Sequence, residues 1–157
     1  MEYKKKIIRT VDQFYVECIE EFKEAQRKID NDSKFRSIFR KKDYKGNVEL
    51  LRTCKLSARS LRCPTGDIPR DDIDSKELIH AAQGCIRQFN RVCDSYIQMQ
   101  LALQKKAEGG AMSYKEYMKV YNQTREELDK MNSELKDLDL LYTDYAEQED
   151  YDVYEFL

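Results

Sequence analysis

The chain has no tryptophan, one histidine, two prolines and five glycines in 157 residues. So little glycine and proline argues against an all-β fold, which needs many tight turns. No apolar run approaches the roughly 20 residues of a membrane span. The opening Met-Glu-Tyr-Lys-Lys-Lys is basic, yet Arg9 and Asp12 break up any apolar stretch behind it that would serve as a leader. The five cysteines, Cys18, Cys54, Cys63, Cys85 and Cys93, include no Cys-x-x-Cys pair and match no zinc spacing. That usage favours a reducing compartment. The expectation is a soluble, cytoplasmic protein with no membrane partner.

Charge and helical periodicity are what the chain has in abundance. Charged residues make up 37% of it, so any core must be a narrow stripe. Three stretches carry apolar residues at alternating steps of four and three. The first is Ile8, Val11, Tyr15, Cys18, Phe22, Ala25 and Ile29, with Ile7 and Phe14 widening its face. The second is Leu78, Ala82, Cys85, Phe89, Val92, Tyr96, Met99 and Leu103, with Ile79, Ile86 and Cys93 beside it. The third is Tyr117, Tyr121, Thr124, Leu128, Met131, Leu135, Leu138, Tyr142 and Tyr145. This alternation keeps one seam of a helix against a partner helix along its length.

Boundaries follow from capping and breaking residues. The first helix is predicted from about residue 4 to 31, ending at Asn31-Asp32-Ser33, whose short polar side chains compete for backbone hydrogen bonds. A short helix over 33–42 uses Phe35, Ile38 and Phe39. Gly46 and Asn47 interrupt it, and another runs from Val48 to Arg62 with Leu51, Cys54, Ala58 and Leu61 inward. Cys63 to Pro69 holds both prolines and reads as a loop. Asp74 with Glu77, and Ser113 with Glu116, read as capping boxes around a break at Gly109-Gly110. The expected fold is an all-α antiparallel bundle of three long helices plus a shorter broken one, four-helix-bundle-like. It occupies residues 1–147, and 148–157 form an acidic aromatic tail.

Catalytic chemistry finds no footing. Glu77 and His80 form one Glu-x-x-His element of a carboxylate-bridged metal site, but the ladders carry no Asp, Glu or His at a seam position to complete it. Cys63 and His80 lack a third, orienting group. The Gly109-Gly110 pair lacks the spacing and the Lys-Ser/Thr of a phosphate loop. No enzyme, metal or cofactor is expected.

The charge layout says more. Residues 34–62 hold ten basic side chains, including Arg36 and Arg40, against Asp43 and Glu49, a net of +8. Within them Arg52, Lys55, Arg59 and Arg62 fall at steps of three, four and three and line one helix face. Residues 126–157 hold twelve acids against Lys130 and Lys136, a net of −10. The overall charge of −2 hides this separation. Acidic neighbours in the same bundle are one expected counterweight to the basic stripe, and a polyanionic partner is the other. The last residues interleave acids with Tyr151, Tyr154 and Phe156, a pattern suited to docking on a basic, partly apolar groove.

Tyr145-Ala-Glu-Gln-Glu149 and Tyr151-Asp-Val-Tyr-Glu155 are each similar to the Tyr-x-x-x-Asp/Glu tail signal of small helical-hairpin substrates of the type VII secretion system. The Trp-x-Gly turn of those proteins is missing, and five residues of similarity do not make the chain a member. The expected function is that of a non-enzymatic interaction protein, an adaptor or inhibitor of a larger complex. Its partner is expected to be another protein, met through Arg36, Arg40, Arg52, Lys55, Arg59, Arg62, Tyr151, Tyr154 and Phe156. Binding of nucleic acid through 34–62 is the alternative, and mimicry of a polyanion by the acidic end is a third.

Overall fold

The computed structural model describes residues 2–34 and 42–154, and for residues 32–34 and 150–154 the backbone alone. Every regular element among the described residues is helical. α1 (Glu2–Gln13), a π-helical turn (Phe14–Ile19) and α2 (Glu20–Lys34) run on as one rod. α3 spans Tyr44–Ser60, α4 Ile73–Ala107 and α5 Tyr114–Tyr154. At ~1.5 Å per residue the 35 residues of α4 extend for ~52 Å. The architecture is an all-α bundle, as the ladders require.

α4 is its axis. Along one flank it meets α3, where Asn47 Nδ2 donates to Gln100 Oε1 at 3.0 Å and Lys55 Nζ reaches Asp94 Oδ1 at 2.5 Å. Along another it meets α5. There the Ser75 and Tyr145 hydroxyls bond at 2.8 Å, Gln88 Nε2 donates to Glu127 Oε2 at 2.6 Å, and Thr124 Oγ1 donates to the Ser95 carbonyl at 3.3 Å. In both pairings residue numbers rise on one helix as they fall on the other, so both are antiparallel. The rod closes the bundle. α2 and the π turn pack on α3, while α1 touches α4 and α5.

The interior is built around three phenylalanines. Phe89 stands edge-on to Phe14 and Phe22, with centroids 5.8 and 5.7 Å away, and Phe22 meets Tyr96 the same way at 5.3 Å. Such pairs add ~0.5–1.5 kcal/mol each beyond the area they bury. Around them lie Val11, Cys18, Leu51, Cys54, Leu78, Val92, Cys93 and Leu138, all but closed to solvent.

The first ladder is corrected in its N-terminal half. Ile7 and Phe14 are core, whereas Ile8 and Tyr15 are only half-buried. The reason is the π turn, which takes up one residue more than an α-turn. It lets Phe14, Cys18 and Phe22, two successive steps of four, share a face. The second and third ladders face inward as expected.

Several boundaries differ too. The expected helix over 33–42 falls largely on residues 35–41, outside those described. Gly46 and Asn47 do not interrupt α3. They lie in its first turn, because Asp43 caps it by accepting from the Gly46 N–H at 3.0 Å. The Asp43 carboxylate lies so close that a Cβ at residue 46 would come within 2.1 Å of it. Lys28 holds that carboxylate below its usual range. α4 is capped by Asp72 rather than Asp74. Asp72 accepts from the Ser75 N–H and hydroxyl and from the Tyr3 hydroxyl at 2.6 Å, a tie to α1 that no local pattern reveals. Burial opposes its ionisation, yet these donors, with Lys4 nearby, hold its pKa below the usual value. Ser113 caps α5 as expected, accepting from the Glu116 N–H at 3.1 Å, and Gly109 turns the chain at φ +90°. α5 continues beyond 147 to Tyr154, so the first part of the expected tail is helix.

Candidate interaction surface

α3 buries Asn47, Val48, Leu51, Cys54 and Ala58, which fixes where its cations stand. Lys55 flanks the face that meets α4, and Arg52 and Arg59 lie one step further out. Lys55 is paired with Asp94 of α4, and Arg52 with Glu49 one turn earlier at 3.4 Å. Arg62 Nη1 donates to the Arg59 carbonyl at 2.9 Å, and the Arg59 side chain is exposed. Arg52, Lys55 and Arg59 share a face of α3, whereas the helix expected to reach Arg62 stops at Ser60, where Leu61 turns to extended backbone, so helical spacing does not place Arg62.

The structure adds two cations from α4. Arg87 and Arg91 precede Asp94 by seven and three residues and lie on the same flank as that partner of Lys55. The antiparallel register set by Asn47–Gln100 and Lys55–Asp94 puts Arg59 beside that stretch of α4. Both α4 arginines are exposed. Among the described residues, Arg59, Arg87 and Arg91 form no ion pair. The result is a basic ridge across the α3/α4 seam. Sequence reasoning missed its α4 half because which flank of α4 meets α3 is a tertiary fact.

The acids of α5 lie on the opposite edge, beyond α4. Some are used inside the bundle. Glu127 takes Gln88, Asp139 accepts from the Tyr15 hydroxyl at 2.7 Å, and Glu149 pairs with Lys4 at 3.4 Å. Burial first, then the Asp139 carboxylate, pushes the Tyr15 phenol far up. Glu126, Asp137, Asp144 and Glu147 instead face solvent. Among the described residues no ion pair joins α5 to α3, and Glu149 of α5 pairs instead with Lys4 on α1.

Each charged edge carries an apolar side chain that the bundle does not bury. Leu56 is 64% exposed on α3, between Arg52 and Arg59, and Leu140 is 68% exposed on α5, between Asp137 and Asp144. These are the features an interface with another macromolecule would use, an apolar centre within a charged rim.

The remaining candidates fall into place as follows. Arg36, Arg40 and Phe156 lie outside the described residues. Tyr151 and Tyr154 belong to the last turns of α5, which are described by backbone alone. Tyr145, which opened the first tail motif, is a core residue bonded to Ser75. His80 is exposed on α4. Among the described residues no three His, Cys, Asp or Glu gather as metal ligands would. All five cysteines are free thiols, four of them buried. Burial raises Cys18 and Cys85 to about 12 and Cys54 to about 11, and pushes Cys93 further still. Such thiols are poor nucleophiles, because attack requires the thiolate. No described helix is long and apolar enough to cross a membrane.

A cleft of about 320 Å³ opens where α2 parts from α5, lined by Ile29, Tyr96, Met99, Tyr121, Leu128 and Arg125 among others. The ladders could not announce it, since it exists only where two seams separate. Comparison with protein-family models, curated proteins and solved structures finds no match for this chain.

Proposed function

We propose that this chain is a non-enzymatic helical-bundle interaction protein, an adaptor or inhibitor that offers its charged edges to a partner protein. One observation carries the reading. The basic ridge and the outer acids of α5 stand on opposite edges of the bundle, so neither is used up in neutralising the other. Surface charge of one sign around an exposed leucine costs stability through self-repulsion and adds nothing to the core. A partner of opposite charge is what offsets that cost.

Photo-crosslinking in the native cell tests it. A crosslinker at Leu56 should trap a distinct protein, and changing Arg52, Lys55, Arg59 and Arg62 to Gln should abolish that product. Identical products from both versions would sink the reading.

A second reading is favoured by Arg87 and Arg91. They widen the basic stripe across two helices, as contact with several backbone phosphates of a nucleic acid requires. Oligonucleotide binding that weakens steeply with salt, and that the Gln variant lacks, supports it. An absence of binding at low salt removes it.

A further inference from the structure

The two charged edges match each other in spacing. On α3 the order is Arg52, Leu56, Arg59, at steps of four and three. On α5, read backwards, it is Asp144, Leu140, Asp137, again at steps of four and three. Helices docked antiparallel are read in opposite senses. An α3 laid antiparallel on an α5 would therefore set Arg52 against Asp144, Leu56 against Leu140 and Arg59 against Asp137. Within one molecule this cannot occur, because α4 separates α3 from α5.

We propose that the protein associates with a second copy of itself, the α3 edge of one copy docking antiparallel on the α5 edge of the next. This rests on the reading of both edges as interaction surfaces and names one partner for them. Leu56 and Leu140 form the dry centre, and the arginines and aspartates form the rim. The Arg52–Glu49 pair does not compete strongly, since both side chains are more than half exposed and joined only at 3.4 Å.

The geometry also sets the kind of assembly. The contact is heterologous, since it joins two different surfaces. One copy's edges point in opposite directions and cannot both engage the same neighbour. Association therefore grows head to tail rather than closing as a two-fold dimer. Because the rim pairs are solvent-exposed, it is strong at low ionic strength and weak once the Debye length falls to ~3 Å in ~1 M salt.

Sedimentation of the purified full chain over a concentration series decides the matter. At low salt the average mass should climb past that of a dimer as concentration rises, and high salt should return it to that of a monomer. R52E/R59E alone and D137R/D144R alone should each stay monomeric. Mixed, they should co-assemble in strict alternation, because the two intact edges complement each other and so do the two reversed ones. The chain carrying all four reversals should assemble again. Circular dichroism of each variant verifies that the helices are intact, and since all four residues lie at the surface the fold should be unchanged. The proposal is overturned if the wild type stays monomeric at every concentration in low salt, if either pair of reversals leaves its mass unaltered, or if the mixture fails to pair. Monomeric wild type that binds an oligonucleotide, with R52E/R59E losing that binding, also overturns it and assigns the ridge to nucleic acid. None of these outcomes touches the crosslinking test, so this proposal and the broader reading can fail separately.

Discussion

α4 and α5 carry the same 3-4 ladder and form one antiparallel hairpin, yet they are buried to very different depths. On α4 nearly every ladder residue is closed off, and Ile79 and Cys93 join them from a second column. On α5, among the residues whose side chains are described, only Thr124, Met131, Leu138 and Tyr145 are buried, each seven residues from the next. Between them Tyr121, Leu128, Leu135 and Tyr142 stay half-exposed. α4 has neighbours on three sides, whereas α5 packs along α4 and meets the rod chiefly near α1. A ladder therefore tells which face turns inward. How deep it goes depends on how many helices arrive, and that is set by the whole bundle.

High pH should break the comparison most forcefully. An unfolded thiol ionises near ~8.5, while Cys85 on α4 holds its proton to about 12. Cys93 beside it is raised further, and Cys18 and Cys54 are raised to about 12 and 11. A folded pKa above the unfolded one means stability is intact below ~8.5 and drains away as pH climbs towards the folded values. The protein should unfold cooperatively within that interval, followed by circular dichroism. Cys85→Ala should move the midpoint upward, and no substitution on the exposed column of α5 should do so.

Truncations in the two ladders sharpen it. Phe89→Ala on α4 should cost ~3–5 kcal/mol in urea unfolding, as for a filled core site. Leu128→Ala on α5, half-exposed, should cost ~1 kcal/mol, a fraction of full burial. Equal costs would show that α5 is as deeply packed as α4. A smaller step is Tyr145→Phe, which removes the hydroxyl bonded to Ser75 and leaves the ring in place. A net cost of ~0.5–1.5 kcal/mol is expected. Ser75 keeps its bond to Asp72, so no orphaned hydroxyl adds to that cost.

Much of this was legible in the residues. The second ladder, the Gly109-Gly110 turn and the Ser113 cap are local signals, and locally they hold. Ile7 and Phe14 were seen as the margin of the first ladder, because a π turn leaves no mark in a pattern of apolar positions. Gly46-Asn47 read as a break since both residues disfavour helices. The Asp43 cap and the Asn47–Gln100 bond outweigh that preference. Asp74 with Glu77 has the capping-box spacing, yet Asp72 is the cap, fixed by Ser75 and by Tyr3 arriving from α1. At the surface, spacing alone put Arg52, Lys55 and Arg59 on one face, while Arg62 lies past the end of α3 at Ser60. Arg87 and Arg91 join it through helix pairing, which spacing within one helix does not encode.

The π turn also bears on how the chain tolerates changes in length. A helix that holds a π turn contains one surplus residue, and here the surplus sits at an exposed stretch of the rod, where Val16 is 67% open to solvent. Deleting Val16 would tighten the turn to ordinary α-helix and change the double step of four at Phe14, Cys18 and Phe22 into a three and a four. Melting of the shortened chain should stay close to that of the parent, whereas deleting a residue inside α4 would rotate half its ladder out of the core and abolish folding. The rod thus has a seam at which insertion or deletion is absorbed, while the axis it wraps has none.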